Sequence, residues 1–405
     1  MARTRIGVDV GSTAVRVAEV AAGDIPVVVR AAQVPLPPGV VEAGEVRQPE
    51  AVAEALREAW SKSGVKSKQV HLGVGNQRVV VREVALPWLP EKELRDTLGF
   101  QVQEFIPMAS DDAVLDFDPL GEMNQGGRRM MRILLVAAHR PMVNALVEAA
   151  LAAKLDPQGI DLTPFAVVRA VGTGDEGLDL DSSGDEAIVD IGAQVTSICV
   201  HDRGVTRFVR ILPSGGRDIT LALASDLGVD EAAAERLKRG ETPETPTQDG
   251  PQDAPMDAAD RPTADRPPIG PPPPADSLPV DGPPADTLPD EAPRGAPAVL
   301  PGPTEVRQLA LTRAGSFVDE VRSSLEFYTA QMPNAQIGRV LVVGGGSRLD
   351  GLLELLEERL PVPVDRGRLF ERAKSEIELS AEASAEAEAV LSVAVGLAIP
   401  ARRNA

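Results

Sequence analysis

One short motif, an apolar strand that ends in aspartate before a glycine turn, occurs twice in this chain. The first copy spans residues 6–9, with Gly11 in its turn, and the second spans residues 187–190, with Gly192 in its turn. A second extended run follows each copy, so both are predicted to be β-hairpins. A carboxylate beside exposed backbone N–H groups suits a magnesium-bound phosphate, although a single copy would equally fit an ordinary hairpin. The repeat therefore favours two phosphate loops.

Another glycine-rich turn follows a later strand. Residues 337–343 form an apolar run that leads into Gly344-Gly345-Gly346-Ser347, and a predicted helix spans residues 349–360. This order of strand, glycine turn and helix lets the backbone lie against a base or a phosphate, with the helix N-terminus facing the anion. It adds a candidate nucleotide contact to the two hairpins.

A predicted helix at residues 230–239 carries Glu235 and Lys238. Because the two residues are three positions apart, they share one face and could reach the same ligand. The same spacing also fits an exposed ion pair within the helix, so both interpretations stay open at this stage.

Charge and composition narrow the function classes. The chain of 405 residues has a formal net charge of −20, which argues against nucleic acid or an anionic membrane as a main ligand. Its single cysteine, Cys199, rules out an internal disulfide and a cysteine-cluster metal site. No apolar run approaches the roughly 18 residues that span a bilayer, and no signal peptide is recognised, so we expect a cytoplasmic protein.

Residues 241–304 differ from the rest of the chain. They hold 19 of its 36 prolines, with 12 acidic residues against 3 basic ones. Apolar residues are too sparse to bury a core, so we expect a disordered, proline-rich acidic insert.

In their order along the chain, these elements resemble the actin-like ATPase superfamily, and within it the PilM family of FtsA-like type IV pilus assembly proteins. The resemblance covers nearly the whole chain except the insert. The segments that carry it are Leu86-Pro87, residues 91–105, Ile106-Pro107, Asp116-Phe117, residues 135–138, Asp161, residues 189–193, residues 324–328, residues 344–347 and residues 394–398.

The resemblance implies an α/β, actin-like ATPase fold, in which two duplicated RNase H-like domains surround a nucleotide cleft and carry an FtsA-type small α+β subdomain. It also implies a division of the chain. The expected parts are residues 1–84 (first part of domain 1), 85–160 (small subdomain), 161–184 (return helix and loop of domain 1), 185–240 (first part of domain 2), 241–304 (insert), 305–380 (second part of domain 2) and 381–405 (C-terminal helix returning to domain 1).

The resemblance further implies ATP and magnesium as cofactors. Asp9 and Asp190 would hold the metal through water, and Glu235 and Lys238 would contact the ribose and base. Phosphates would be lined by Gly11, Ser12, Thr13, Arg16, Gly192 and Ala193, and the adenosine by Gly344, Gly345, Gly346 and Ser347.

Family members bind the N-terminal cytoplasmic tail of the inner-membrane protein PilN in a groove beside the small subdomain. The resemblance therefore implies a scaffold of a pilus, secretion or DNA-uptake machine, held at the membrane through its partner. Two alternatives stay open, an actin-like cytoskeletal or cell-division protein and a small-molecule kinase of the same fold. The kinase would need a catalytic carboxylate beside an acceptor pocket, and no motif supplies one.

Three departures from the superfamily pattern concern catalysis. Arg16 occupies the usual lysine position of the first phosphate loop, and Ala193-Gln194 replaces a second Asp-Gly. No glutamate or glutamine that would position water starts the helix at residues 161–171. Slow hydrolysis is therefore expected, with ATP acting mainly as a structural switch, and no catalytic residue is assigned.

Overall fold

The computed structural model describes residues 4–173, 184–241, 301–332 and 335–401. Most of the predicted insert, residues 242–300, lies outside the described residues. The strands are β1 (Thr4–Val10), β2 (Ala14–Ala21), β3 (Val27–Pro35), β4 (Val41–Glu42), β5 (Glu45–Val46), β6 (Gln69–Val74), β7 (Val79–Pro87), β8 (Ala113–Gln125), β9 (Arg128–His139), β10 (Asp156–Leu162), β11 (Asp185–Ile191), β12 (Thr196–Asp202), β13 (Val205–Leu212), β14 (Ile337–Val343), β15 (Val364–Arg366) and β16 (Lys374–Ser375). The helices are α1 (Pro49–Ser63), α2 (Glu91–Gln101), α3 (Arg140–Ala152), α4 (Thr163–Val171), α5 (Gly216–Leu227), α6 (Glu231–Lys238), α7 (Pro303–Gln331), α8 (Leu352–Arg359), α9 (Leu369–Arg372), α10 (Ala381–Val390) and α11 (Ser392–Ala398).

The first sheet has the strand order β10-β6-β1-β2-β3-β16. Strand β1 pairs antiparallel with β2 and parallel with β6. Alternation along β1 buries Ile6 and Val8 in one core with α1 and α3, while α4 and α11 belong to the core on the opposite face. Helices α4 and α11 meet at backbone distance, since a Cβ added at Gly396 would lie 1.8 Å from the carbonyl oxygen of Ala166.

The second sheet, with the order β13-β12-β11-β14-β15, repeats the plan of the first. Strand β11 pairs antiparallel with β12 and parallel with β14, as β1 does with β2 and β6. Helices α5, α7 and α8 bury their apolar sides against one face of the second sheet. The other face shares a core with α4 and α11, so these two helices lie between the sheets. The first strand of each sheet, β1 or β11, is thus an inner strand of its sheet.

The small sheet, with the order β7-β9-β8, is covered by α2. Its core includes Leu94 and Leu98 of α2 with Phe117 of β8. The predicted small subdomain at residues 85–160 also included α3 and β10, but the structure places both with the first sheet. Helix α3 shares a core with α1, and β10 pairs in parallel with β6. Helix α3 joins the first sheet because its apolar side packs in that core, and β10 joins it because β6 offers an edge for pairing.

The sequence also predicts helices at residues 91–105, 140–155 and 380–397, and the observed helices differ from these predictions. The helix expected at residues 91–105 ends at Gln101, and the one expected at 140–155 ends at Ala152, before Lys154 with its positive φ of 60°. The C-terminal helix expected at 380–397 is split at Leu391 into α10 and α11. No helix in the described part of the chain is both long and apolar enough to cross a membrane.

Candidate functional site

The turns after β1 and β11 have the same backbone geometry. In the first turn, the amide of Gly11 donates to the carbonyl of Ala14 at 3.0 Å, and in the second the amide of Gly192 donates to Val195 at 2.9 Å. Ser12 and Thr13 lie within the first turn, and Ala193 lies within the second. The sequence repeat therefore corresponds to two structurally equivalent hairpins.

Asp9, near the end of β1, faces Arg16 of β2 across the first hairpin. The Nη1 atom of Arg16 lies 3.2 Å from Oδ2 of Asp9, and each side chain is 14% exposed. The Nε atom of Arg16 donates to Oε1 of Gln33 on β3 at 2.9 Å, which fixes the guanidinium beside the carboxylate. Burial raises the pKa of the Asp9 carboxyl, and the Arg16 charge partly offsets that effect.

Asp190 occupies the equivalent position in β11, but Ser197 lies opposite it. The pKa of Asp190 is raised to about 7, mainly by burial and also by the nearby negative charge of Asp9, while Arg16 acts in the opposite direction. The two hairpins thus bring Asp9 and Asp190 within electrostatic range of each other. Such a pair of carboxyls favours a cation between them.

The Gly344–Ser347 segment lies directly against the second hairpin. Gly344 has a φ of +87°, and a Cβ at this position would lie 2.4 Å from Oδ1 of Asp190, so glycine is required on both counts. Gly345 and Gly346 continue into a 3₁₀ turn, Gly345–Arg348. Within it, the hydroxyl of buried Ser347 donates to the carbonyl of Gly344 at 2.7 Å.

Helix α5 begins at the second hairpin. The amide of Gly216 donates to the carbonyl of Gly192 at 3.0 Å, and the amide of Arg217 donates to the carbonyl of Ala193 at 2.8 Å. A Cβ at Gly216 would lie 3.6 Å from the Cα of Gly346, so the start of α5 also adjoins the glycine triplet.

Glu235 and Lys238 of α6 form an inward-facing pair. The Nζ atom of Lys238 lies 2.6 Å from Oε2 of Glu235, and the Lys238 side chain is only 12% exposed. Lys238 also donates to the carbonyl of Gly216 at 2.9 Å and to the hydroxyl of Thr220 at 2.7 Å. Burial lowers the pKa of Lys238, and Glu235 acts in the opposite direction. The structure thus places this pair beside the start of α5, not on an outer helix surface.

Three polar residues near these elements were not predicted from the sequence. Gln33 orients Arg16, Thr220 joins Lys238 to Glu235, and Gln194 accepts a hydrogen bond from the amide of Ala43 at 2.7 Å. The last contact links the second hairpin to the segment between β4 and β5. Thr220 could have been found from its position one turn after Gly216, whereas Gln33 and Gln194 depend on long-range pairing.

The metal-ligand set supplied by side chains is small. Among the described residues, there is no group of three or more His, Cys, Asp and Glu side chains that could hold a metal ion. A cation between Asp9 and Asp190 would therefore need further oxygen ligands from a bound ligand or from water, as magnesium commonly does in phosphate sites.

Comparison with known families decides between the alternatives that the sequence left open. A family model described as type IV pilus assembly protein PilM matches residues 7–249, which is more than half of the chain. The chain belongs to the PilM family. A model of cell division protein FtsA also matches, over residues 187–389. The family assignment confirms the resemblance drawn from the sequence and makes this a type IV pilus assembly protein.

Two solved structures are similar to this PilM-family chain over most of its length. A PilM-PilN type IV pilus biogenesis complex matches with a TM-score of 0.72 and 24% identity, covering 97% of each chain. The ethanolamine utilization protein EutJ from Carboxydothermus hydrogenoformans matches with a TM-score of 0.51 and 16% identity, covering 98% of this chain and 89% of that one. The predicted actin-like ATPase fold is confirmed.

Proposed function

We propose that this PilM-family chain is an ATP-binding scaffold that recruits the N-terminal cytoplasmic tail of a PilN-like inner-membrane protein to the pilus machine. The proposed binding of ATP rests on the approach of Asp9 and Asp190, which lie near the ends of the first strands of two equivalent hairpins. Burial and mutual repulsion raise the pKa of Asp190 to about 7, and a bound divalent cation would relieve this cost.

Magnesium bound with ATP fits this donor set. Asp9 and Asp190 would hold the ion through water, and nucleotide phosphates would supply the oxygen ligands that the protein lacks. The two hairpin turns would face those phosphates, with Arg16 adding a positive charge. When bound, the magnesium ion would neutralise phosphate charge.

The nucleoside would lie toward α5, α6 and the glycine triplet. Lys238 and Glu235 are held beside Gly216, and Gly346 adjoins the same residue. Gly344 and Gly346 pack closely against the second hairpin, so an adenosine would lie beside the backbone of this segment. Because the hairpins come from different sheets, ATP bound between them would favour one arrangement of the two sheets, and would act as a switch on partner binding.

The partner is proposed from the family and from the similarity to a solved PilM-PilN complex. The tail would bind beside the small sheet, where Phe100 of α2 is 87% exposed. An exposed phenylalanine on a helix suits an apolar side chain of a peptide. Binding to this tail would keep the chain at the inner face of the cytoplasmic membrane.

The direct test is calorimetry of the full chain with the synthetic cytoplasmic tail of the PilN-like protein encoded nearby, with and without Mg-ATP. We expect saturable binding that Mg-ATP changes severalfold. Phe100→Glu should weaken it about tenfold, since a charge would enter an apolar contact. Leu221→Glu, at a residue of α5 that is 43% exposed, is the matched control and should bind normally. Absence of tail binding in both nucleotide states would refute the scaffold function.

A further inference from the structure

A second polar site lies on the face of the second sheet that carries α4 and α9. It is a cavity of about 250 Å³. Thr173 closes it after the end of α4, Arg339 contributes from β14, and Arg366 contributes from β15. Arg368 and Arg372 complete the wall at α9.

The wall of this cavity has an excess of positive charge. Four arginines, at positions 339, 366, 368 and 372, face two carboxylates, Asp365 and Glu371. Among these six described side chains, the one ion pair joins Arg368 to Glu371 at 3.5 Å, and both partners are largely exposed. In a chain with a net charge of −20, such a concentration of arginine in a concave site is unusual. It favours an anionic ligand.

The cavity wall is held in place from behind by Glu186. This carboxylate is 5% exposed and forms an ion pair with Nε of Arg339. It also accepts hydrogen bonds from the amide of Thr173 at 2.9 Å and from its hydroxyl at 3.1 Å. One buried group therefore positions two lining residues that come from different elements. Because Glu186 meets Arg339 at Nε, the guanidinium has further N–H donors on its two Nη atoms.

The cavity also lies where the chain crosses from one sheet to the other. Strand β15 pairs with β14 in the second sheet, and β16 pairs with β3 in the first sheet. Helix α9, which carries Arg372, lies between these two strands along the chain. A ligand in the cavity would therefore contact the second sheet and the segment that connects it to the first.

We propose that this arginine-lined cavity binds a small oxyanion of the phosphate class, either inorganic phosphate or the phosphoryl group of a small metabolite. Arginine pairs with phosphate oxygens through two parallel N–H bonds, which gives both strength and orientation. The volume is just below the range of about 300–1,000 Å³ that is typical of pockets for larger ligands, so it suits a compact anion. None of the residues that line the cavity is among those proposed to hold ATP, but Arg366 donates a hydrogen bond to the carbonyl of Ser347 at 3.0 Å, so the two sites are neighbours.

The test is calorimetric titration of the full chain with inorganic phosphate in one arm and glycerol 3-phosphate in the other. Arg368→Gln and Arg372→Gln should each weaken binding about tenfold, which is the loss of one charge-assisted contact. Arg359→Gln is the matched control, because this arginine of α8 is 43% exposed and lies outside the cavity. It should bind like the unmodified chain.

Tighter binding of one compound identifies the source of the phosphoryl group, and binding of either supports the site. No saturable binding in both arms would overturn the proposal, as would an equal loss in Arg359→Gln. The Arg368 side chain is 64% exposed, so its replacement should leave the melting temperature unchanged and keep the test valid if Arg372→Gln fails to fold.

Discussion

Arg16 faces Asp9 across the first hairpin, with Nη1 of the guanidinium 3.2 Å from Oδ2 of the carboxylate. The second hairpin has no equivalent cation, because Ser197 occupies the position opposite Asp190. Two hairpins with the same backbone thus differ in charge: one carboxyl is paired, and the pKa of the other rises to about 7. The asymmetry gives Arg16 a double role, as partner of Asp9 and as a candidate phosphate contact.

We expect Arg16→Ala to weaken ATP binding about tenfold and ADP binding much less, because a charge-assisted contact to the terminal phosphate is lost. Arg16→Lys should retain most of the affinity, since the charge remains. Titration calorimetry with both nucleotides measures the ratio. Arg57→Ala, on the exposed side of α1, serves as the control. Equal losses for ATP and ADP would place Arg16 away from the terminal phosphate.

Removing either carboxylate should abolish binding of Mg-ATP. Asp9→Ala and Asp190→Ala each leave one acidic side chain, which is too few to hold the ion beside the phosphates. Asp24→Ala, in an exposed turn, should bind normally. The measurement is calorimetry with magnesium and again with EDTA. Wild-type affinity in both cleft variants would show that the nucleotide binds elsewhere.

The raised pKa of Asp190 also predicts a pH-dependent cost to the metal-free protein. The folded-state pKa of about 7 exceeds the ordinary value of 3.8. The stability that protonated Asp190 contributes is therefore fully present below about pH 3.8 and is lost as the pH rises through 7. We expect Asp190→Asn, in EDTA, to gain about 2 kcal/mol over the unmodified chain at pH 8, because the site borders an open turn that screens part of the effect. The gain should shrink on acidification. Urea unfolding across this range measures it, and a gain independent of pH would contradict the assignment.

On the nucleoside side, Lys238→Ala should weaken binding of adenosine and of ATP by a similar factor of about ten, since its proposed contact is to the part that both ligands share. Lys62→Ala, at an exposed position of α1, is the matched control. A loss confined to ATP would instead indicate that Lys238 contacts a phosphate.

The sequence was sufficient to predict features that depend on local pattern. An apolar run followed by aspartate and glycine predicts a hairpin from local sequence alone, and both predicted hairpins are present. Gly344 is similar, because only glycine tolerates the close approach to Asp190 at a positive φ.

Other features depend on register and on packing between distant segments. Gln33 meets Arg16 only because β3 pairs with β2 in a register that aligns these two residues. The spacing of Glu235 and Lys238 fits an ion pair on the exposed side of α6 and one on its inward side equally well. The hydrogen bond from Lys238 to Thr220 of α5 shows that the pair lies on the inward side. Helix α3 is amphipathic by sequence, but its pattern does not say which core it joins. Periodicity identifies an apolar face and not its partner.

The buried carboxylate Glu186 supplies the last prediction, which concerns stability in acid. Burial alone would raise its pKa, but the contacts from His201, Thr173 and Arg339 outweigh burial and lower the pKa from 4.5 to about 2. Its contribution is therefore present above pH 4.5 and is lost as the pH falls toward 2. Between about pH 5 and 3 the unmodified chain should lose about 2 kcal/mol more stability than Glu186→Gln. Urea unfolding at both pH values tests this, with Glu54→Gln on the exposed side of α1 as the control. Parallel losses in all three proteins would show that Glu186 is not held as a charged group behind the arginine-lined cavity.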